Sequence, residues 1–216
     1  MRRLVIFDLD GTLLDTAPGI AACYNETAAR FGRAARERAC FQGIIGGSLK
    51  SGFAALYGIE GDAADEAVAR YRALYAEKGM YMYSVYPGIP ELLASLREQG
   101  ARTAVATLKL ERFAVDMLRH AGLSFDAVFG AGLGAGDAGL TKARLLQKAM
   151  DHCGASPDQT VLVGDSAYDA QGAREAGTGF VAVTYGWGFA DAEDAARGYH
   201  TAIADSADEV AACLAD

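Results

Sequence analysis

We predict an α/β protein in which a parallel β-sheet core carries an inserted α-helical segment, and three observations support this. Short apolar runs alternate with amphipathic helical patterns from residue 102 onward, an order typical of parallel sheets. A further apolar run, Leu4–Phe7, lies near the start of the chain and ends in acidic residues. Between these two regions, residues 16–86 contain helical patterns and no strand signal.

The inserted segment is predicted to be entirely helical, and Ser48 is placed to cap one of its helices. Its periodic apolar patterns predict helices over 20–31, 49–57 and 65–78. Pro90 fits the first turn of the helix that returns the chain to the core. We therefore assign residues 1–15 and 87–216 to a core domain and residues 16–86 to a cap domain.

The rest of the core has the alternating order of a Rossmann-like sheet. The predicted strands cover 103–106, 127–129, 160–163 and 180–183, the predicted helices cover 110–121, 142–153 and 169–176, and helices complete the tail. In such sheets the functional residues gather beyond the carboxyl ends of the strands.

Composition narrows the classes of function. The chain has 216 residues, is 51% hydrophobic and carries a formal net charge of -8 without a basic run. Binding to nucleic acid or to an anionic membrane is therefore not expected. No apolar stretch is long enough to span a bilayer and no signal peptide is evident, so we expect a cytoplasmic protein. The four cysteines and three histidines lack metal-ligand spacing.

Asp8 and Asp10 follow the first predicted strand and are followed by Gly11 and Thr12. Residues two apart in a strand share a face, so the two carboxylates are expected to lie close together. Such a pair suits a nucleophile, a proton carrier and an oxygen-ligated metal. A turn with Asp as a helix cap is the alternative for this motif alone.

The motif Asp-x-Asp-Gly-Thr after an apolar strand resembles the first motif of the haloacid dehalogenase superfamily, whose members are mostly phosphatases that form an aspartyl-phosphate. The resemblance implies that Thr107 contacts the transferring phosphoryl group and that Lys142 neutralises it and holds the nucleophile. Two departures are Leu108, where many members have Asn, and Ala143, where Pro is usual. Lys109 remains a rival for part of the role of Lys142.

The residues Gly164-Asp165-Ser166-Ala167-Tyr168-Asp169 resemble the last motif of the superfamily. The resemblance implies a Mg²⁺ site formed by Asp8, the backbone carbonyl of Asp10 and Asp165, with Asp169 behind them. Magnesium prefers oxygen ligands and keeps several waters, which agrees with this set. The glycine-rich loop 130–136 precedes Lys142.

The implied reaction is hydrolysis of a phosphomonoester. Asp8 attacks phosphorus, Asp10 transfers the proton, and backbone N–H groups around Leu9 and Gly11 stabilise the phosphoryl oxygens. Asp10 distinguishes the chain from the dehalogenases of the superfamily, which lack it. Gly164 distinguishes it from the phosphomutases, which usually carry Glu there.

The helical insertion resembles the small cap of the phosphoglycolate phosphatase-like subgroup. We expect a small phosphorylated metabolite, with 2-phosphoglycolate favoured and a 5'-nucleotide or pyrophosphate as alternatives. Lys50 is a candidate contact for a substrate carboxylate. Tyrosines and methionines over 71–86 predict core packing, with a cap-mediated homodimer as the alternative to a monomer. A receiver-like signalling domain is the non-enzymatic alternative.

Overall fold

The computed structural model describes residues 4–132 and 140–215. Its strands are, in chain order, β1 Leu4–Phe7, β2 Leu14–Asp15, β3 Ser84–Val85, β4 Arg102–Leu110, β5 Ala127–Ala131, β6 Thr160–Gly164, β7 Gly179–Val183 and β8 Ala202–Ala204. Six of them form one parallel sheet in the order β5-β4-β1-β6-β7-β8. The predicted α/β class and parallel sheet are confirmed, and β1 lies inside the sheet between β4 and β6.

Helices cover both faces of the sheet because each strand alternates its side chains between them. The helices are α1 Ala17–Ala29, α2 Leu49–Tyr57, α3 Gly61–Glu77, α4 Ile89–Glu98, α5 Glu111–His120, α6 Lys142–Cys153, α7 Ala167–Ala176, α8 Ala192–Ala196 and α9 Ala207–Ala215. Val5 and Phe7 belong to the apolar cluster that contains residues of α4, α5 and α9. Leu4 and Ile6 belong to the opposite cluster, which contains residues of α6 and α7.

The inserted segment contains α1, α2 and α3, as its periodicity predicts. It is not entirely helical, because β3 pairs antiparallel with β2. The two strands have only two residues each, too few to give an alternating pattern that sequence reasoning could detect. This small sheet joins the two ends of the segment where they meet the core. The exact domain boundaries at residues 15 and 87 stay a prediction.

Aromatic side chains form much of the interior of the inserted segment. Tyr71 and Tyr75 are buried on α3 and their rings stack with centroids 5.6 Å apart. Met80 is buried beside them, whereas Tyr81 and Met82 are exposed. Core packing therefore accounts for most of this group of residues, and the alternative of a homodimer stays a prediction.

Two other predicted elements differ in the structure. The chain returns to the sheet as β8, where only tail helices were expected. Its sequence Ala-Ile-Ala is short and weakly apolar, and the strand is stabilised by pairing with β7. The strand predicted over 103–106 is longer and extends to Leu110, with a register shift after Ala106. Most of the glycine-rich loop 130–136 lies outside the described residues.

Among the described helices, none combines the length and the apolar composition that crossing a membrane requires.

Candidate active site

The carboxyl ends of three neighbouring strands bring the predicted site residues together. Asp8 follows β1, Thr107 lies at the register shift of β4, and Asp165 follows β6. Lys142, the first residue of α6, extends towards the same point. All four side chains are buried, although buried charged groups are rare unless they are paired. The expected strand-end arrangement is therefore present.

Lys142 makes ion pairs with two carboxylates. Its Nζ atom donates to Asp8 Oδ1 at 2.6 Å, lies 2.8 Å from Asp169 Oδ1, and also donates to the carbonyl of Ala106 at 2.8 Å. The second oxygen of Asp169 accepts from the hydroxyl of Ser166 at 2.5 Å and from its backbone N–H at 3.1 Å. One oxygen of Asp169 thus accepts hydrogen bonds from Ser166, while the other is paired with Lys142 but accepts no hydrogen bond from the described residues. The expected place of Asp169 behind the metal ligands stays a prediction.

Lys109 binds the other acidic residue of the first motif. Its Nζ atom is 2.9 Å from each carboxylate oxygen of Asp10 and lies 4.6 Å from the ring centroid of Tyr75. Thr16 donates its hydroxyl to Asp10 at 2.6 Å. The two lysines therefore have separate partners in this structure, Lys142 with Asp8 and Lys109 with Asp10.

Thr107 does not cap a helix, and the Lys109 side chain is not exposed to solvent. Helix α5 begins at Glu111, and Thr107 accepts a hydrogen bond from the backbone N–H of Lys109 at 3.2 Å. The Lys109 side chain is almost completely buried. The pairing of β4 with β5 shifts register between Ala106 and Leu110. Such irregularities redirect side chains near functional sites, and this one accounts for the inward direction of the Lys109 side chain.

Gly11 shapes the turn after β1, and the expected stabilisation of phosphoryl oxygens by nearby backbone N–H groups stays a prediction. Its N–H donates to the carbonyl of Leu14 at 2.9 Å, so that group is already engaged in this structure. Its φ of 82° lies in the left-handed region, and a Cβ atom there would lie 2.0 Å from Asp165 Oδ2. Glycine is therefore required for both the turn and the close approach of Asp165.

Sequence reasoning missed the loop after β7, residues 184–189, here called the Trp187 loop. The backbone N–H groups of Trp187 and Gly188 donate to Asp165 Oδ2 at 2.7 and 2.9 Å. A Cβ atom on Gly186 would lie 2.4 Å from that same oxygen. The two glycines flanking a tryptophan directly after a strand were the available signal.

The side chain of Trp187 connects this loop to the inserted segment. Its Nε1–H donates to Asp15 Oδ1 at 2.9 Å, while Arg38 binds Asp15 Oδ2 at 2.6 Å. The Arg38 guanidinium also lies 4.7 Å from the centre of the tryptophan ring, within the range of cation–π contact. One residue of the inserted segment and two of the core thus form a single contact group.

The buried carboxylates of the site outnumber the lysines that neutralise them, and burial together with this imbalance raises the pKa values of two of them. Burial raises the pKa of Asp8 to about 7 against the opposing effect of Lys142, and the negative charges of Asp169 and Asp10 add to the increase. Burial, followed by the charges of Asp169 and Asp8, also raises the pKa of Asp165 well above its usual value. For Lys142, burial would lower the pKa, but the two carboxylates outweigh it and raise the pKa.

These residues fit a hard divalent cation. Carboxylate oxygens of Asp8, Asp165 and Asp169 lie within 4.8 Å of one another. Among the described residues, Asp165 Oδ1 and Asp8 Oδ2 accept no hydrogen bond, so each of these carboxylates has an oxygen left for a ligand. A cation there would also offset the excess negative charge. The expected part of the Asp10 carbonyl stays a prediction.

Lys50 does not line the crevice of Asp8 and lies on the inserted segment. It forms a 2.5 Å ion pair with Asp65 and its side chain is 56% exposed. The two residues line a cavity between the inserted segment and the core. The expected contact between Lys50 and a substrate carboxylate stays a prediction.

The family of haloacid dehalogenase-like hydrolases matches residues 5–183 of this chain. The chain belongs to that family. The predicted superfamily membership is thereby confirmed. The match extends from Val5 in β1 to the end of β7, and it ends before the Trp187 loop. It includes Asp8, Asp10, Thr107, Lys109, Lys142, Asp165 and Asp169.

Individual proteins with assigned names are also similar to the chain. It is 39% identical over 191 residues to a protein named tyrosine-protein kinase PtkA from Mycobacterium tuberculosis, covering 88% of this chain but only 64% of that protein. It is 35% identical to a 5'-nucleotidase from Pseudomonas aeruginosa, over 87% and 85% of the two chains. A phosphoglycolate phosphatase from Nitrosospira multiformis is 37% identical, over 86% and 84%.

The solved structure of another protein has the same fold. The crystal structure of a protein described as a predicted phosphatase from Clostridium acetobutylicum superposes with a TM-score of 0.90 and 32% sequence identity. The comparison covers 100% of this chain and 99% of that one. The α/β fold with its helical insertion is therefore common to both proteins.

Gly186→Ala is expected to destabilise the protein by about 1–3 kcal/mol, because the added methyl group would lie 2.4 Å from Asp165 Oδ2 and 2.3 Å from the carbonyl of Gly11. Thermal unfolding measures the change. Gly198→Ala is the matched control, since the nearest atom to its Cβ would lie at 3.6 Å. Equal unfolding temperatures for the two variants would contradict the described packing of the Trp187 loop.

In the metal-free protein, the contribution of Asp8 to stability is expected to fall as pH rises from about 4 to about 7. In that window the Asp8 carboxyl is ionised in the unfolded chain, with its pKa of 3.8, but stays protonated in the folded one, with its pKa of about 7. Rising pH therefore favours unfolding. Thermal unfolding in a chelator, compared with Asp8→Asn, measures this. The stability of wild type relative to the variant should fall across the window, and a constant difference contradicts the prediction.

Proposed function

We propose that the protein is a magnesium-dependent phosphomonoester hydrolase that acts through an aspartyl-phosphate on Asp8. The observation that carries the proposal is the buried contact of Asp8 with Lys142 in a crevice that Asp10 and Thr107 also line. A nucleophile, a counter-charge and a proton carrier are thus within reach of one small space. Phosphoryl transfer requires mainly such positioning and charge neutralisation.

In the first step a carboxylate oxygen of Asp8 forms a bond to phosphorus while the ester oxygen leaves with the bonding electrons. Asp10 donates a proton to the departing oxygen. In the second step Asp10 removes a proton from water, whose oxygen attacks phosphorus and releases Asp8 and inorganic phosphate. Lys142 and the Thr107 hydroxyl stabilise the negative charge on the transferring group in both steps.

Asp8 and Asp165 would hold Mg²⁺, with Asp169 orienting Lys142 behind them. When bound, the ion supplies positive charge to the phosphoryl oxygens. Asp165 is suited to this because its other oxygen is fixed by two backbone N–H groups. Its free oxygen is therefore held in one direction.

The substrate is proposed to be a small phosphorylated metabolite. Similarity to a phosphoglycolate phosphatase supports 2-phosphoglycolate, and similarity to a 5'-nucleotidase supports a nucleoside monophosphate. The kinase relative is 39% identical over 191 residues, but Asp8 beside Asp10 in this chain favours transfer to water. The receiver-like alternative is disfavoured because the acidic pair follows β1 and a helical segment is inserted directly after it.

Asp10→Asn is expected to trap the phosphorylated protein. With p-nitrophenyl phosphate the leaving group departs without a proton, so the variant should release about one p-nitrophenolate per chain and then turn over about 10²–10⁴-fold more slowly than wild type. Rapid-mixing absorbance measures the burst. Asp8→Asn should show neither burst nor turnover, whereas Asp116→Asn, at an exposed surface position, should behave as wild type. A full burst from Asp8→Asn would exclude Asp8 as the nucleophile.

Asp165→Asn is expected to weaken Mg²⁺ binding by at least about tenfold, because it removes a negative charge from the proposed ligand set. Titration calorimetry of the chelator-stripped protein with Mg²⁺ measures this without requiring turnover. Asp151→Asn, on the surface of α6, is the control and should bind as wild type does. Unchanged affinity in Asp165→Asn would place the ion elsewhere.

A further inference from the structure

A cavity of about 600 Å³ lies between the inserted segment and the core and opens into the crevice that holds Asp8. We call it the chamber. Asp10, Gly46, Leu108, Lys109 and Tyr168 line both spaces. A phosphoryl group beside Asp8 would therefore direct the rest of its ester into the chamber.

The chamber is much larger than a two-carbon acid requires. Cavities of roughly 300–1,000 Å³ in proteins accommodate ligands of the size of drugs and cofactors. A leaving group with only two carbons would leave most of the space to water. The volume therefore favours a leaving group that is at least as large as an aromatic ring.

The walls of the chamber are mostly apolar and rich in aromatic rings. Residues of α1, α3, β4 and α5 contribute Tyr24, Val68, Tyr71, Tyr75, Leu108 and Phe113. Tyr24, Tyr71, Tyr75 and Phe113 are buried and contact one another, with successive ring centroids 4.9–5.6 Å apart. Such walls bind flat apolar groups by burial and by edge or face contacts between rings.

Two lysines that line the chamber are already paired with carboxylates. Lys109 is bound to both oxygens of Asp10, and Lys50 is paired with Asp65. Arg72 lies on α3, is exposed and also lines the chamber. A carboxylate close to the phosphate would compete with existing ion pairs, whereas an apolar ring would not.

Tyr168 stands at the opening between the chamber and the crevice. It lies in the first turn of α7, three residues after Asp165, and it is 48% exposed despite its size. Its ring faces Gly47, where a Cβ atom would lie 3.4 Å from the tyrosine hydroxyl. The exposed ring of Tyr168 and the backbone of Gly47 therefore lie close together at this opening, where a ligand that extends from the crevice into the chamber would contact the tyrosine.

From the volume, the lining and the position of Tyr168, we propose that the substrate is a phosphomonoester whose leaving group carries an aromatic ring, bound in the chamber with Tyr168 at its entrance. The proposal rests on the hydrolase function proposed above. Both an arylmethyl phosphate and a nucleoside 5'-monophosphate have this chemistry, and the experiment includes one of each.

The test compares kcat/KM for benzyl phosphate, cyclohexylmethyl phosphate, adenosine 5'-monophosphate, ethyl phosphate and 2-phosphoglycolate by release of inorganic phosphate. At least one ring ester is expected to exceed ethyl phosphate and 2-phosphoglycolate by about tenfold or more, which is the factor that one good ring contact provides. Benzyl above cyclohexylmethyl phosphate shows preference for an aromatic ring over apolar bulk. Equal or higher values for 2-phosphoglycolate overturn the proposal while leaving the hydrolase function intact.

Two variants and a control locate the effect. Val68→Trp fills the chamber from α3 and is expected to lower the ratio of kcat/KM for the preferred ring ester to that for ethyl phosphate by about tenfold. Tyr168→Ala should raise KM for the ring ester more than it lowers kcat, and Tyr168→Phe should restore KM. Val115→Trp makes the same exchange at a site on α5 that is 41% exposed and outside the chamber lining, and should leave the ratio unchanged. A ratio that Val68→Trp does not change overturns the proposal.

Binding separates this proposal from the hydrolase function. Titration calorimetry of Asp8→Asn with benzyl phosphate and with 2-phosphoglycolate does not depend on turnover. Tighter binding of benzyl phosphate supports the chamber even if no ester is hydrolysed, in which case only the hydrolase function fails. Equal or weaker binding of benzyl phosphate contradicts the chamber as the site of an aromatic leaving group.

Discussion

The ion pairs of Lys142 with Asp8 and Asp169 are the constraint on which the site depends. A buried ammonium and two buried carboxylates are tolerated only when they contact one another closely, as they do here at 2.6 and 2.8 Å. The contact requires α6 and α7 to approach closely. Gly172 permits this, because a Cβ atom there would lie 2.5 Å from the Lys142 side chain.

The same cluster still has more negative than positive charge, because Asp165 adds a third carboxylate and Lys109 is bound to Asp10 instead. Burying the carboxylates of Asp8, Asp165 and Asp169 together lowers the stability of the fold, so their presence points to a function rather than to a structural role. A cation and a phosphoryl group bring charges that alter this balance, since the cation offsets the carboxylates and Lys142 can stabilise the phosphoryl oxygens. The excess of negative charge in the cluster is thus what the proposed reaction uses, because it attracts the cation that would neutralise the phosphoryl oxygens.

Sequence reasoning found the residues that sit at strand ends, because their placement follows from strand order alone. Asp8, Thr107 and Asp165 lie on adjacent strands whose carboxyl ends must meet. The resemblance indicated Asp8 as the partner of Lys142, but nothing in the sequence indicated Asp10 as the partner of Lys109, since the register shift in β4 decides where Lys109 points. Nor could it find the hydrogen bonds from the Trp187 loop to Asp165, which join residues 22 and 23 positions apart. Strand β8 was missed for the same reason, because it is stabilised by pairing rather than by its own composition.

The inserted segment does more than cover the chamber. Arg38, from that segment, binds Asp15 and lies against the ring of Trp187, whose backbone N–H fixes Asp165. The backbone N–H of Gly43 also donates to the carbonyl of Trp187 at 2.7 Å. The orientation of Asp165 therefore depends on contacts made by residues well outside the sheet. The inserted segment therefore has two roles in this proposal. It encloses the leaving group, and it supports the loop that orients a proposed metal ligand.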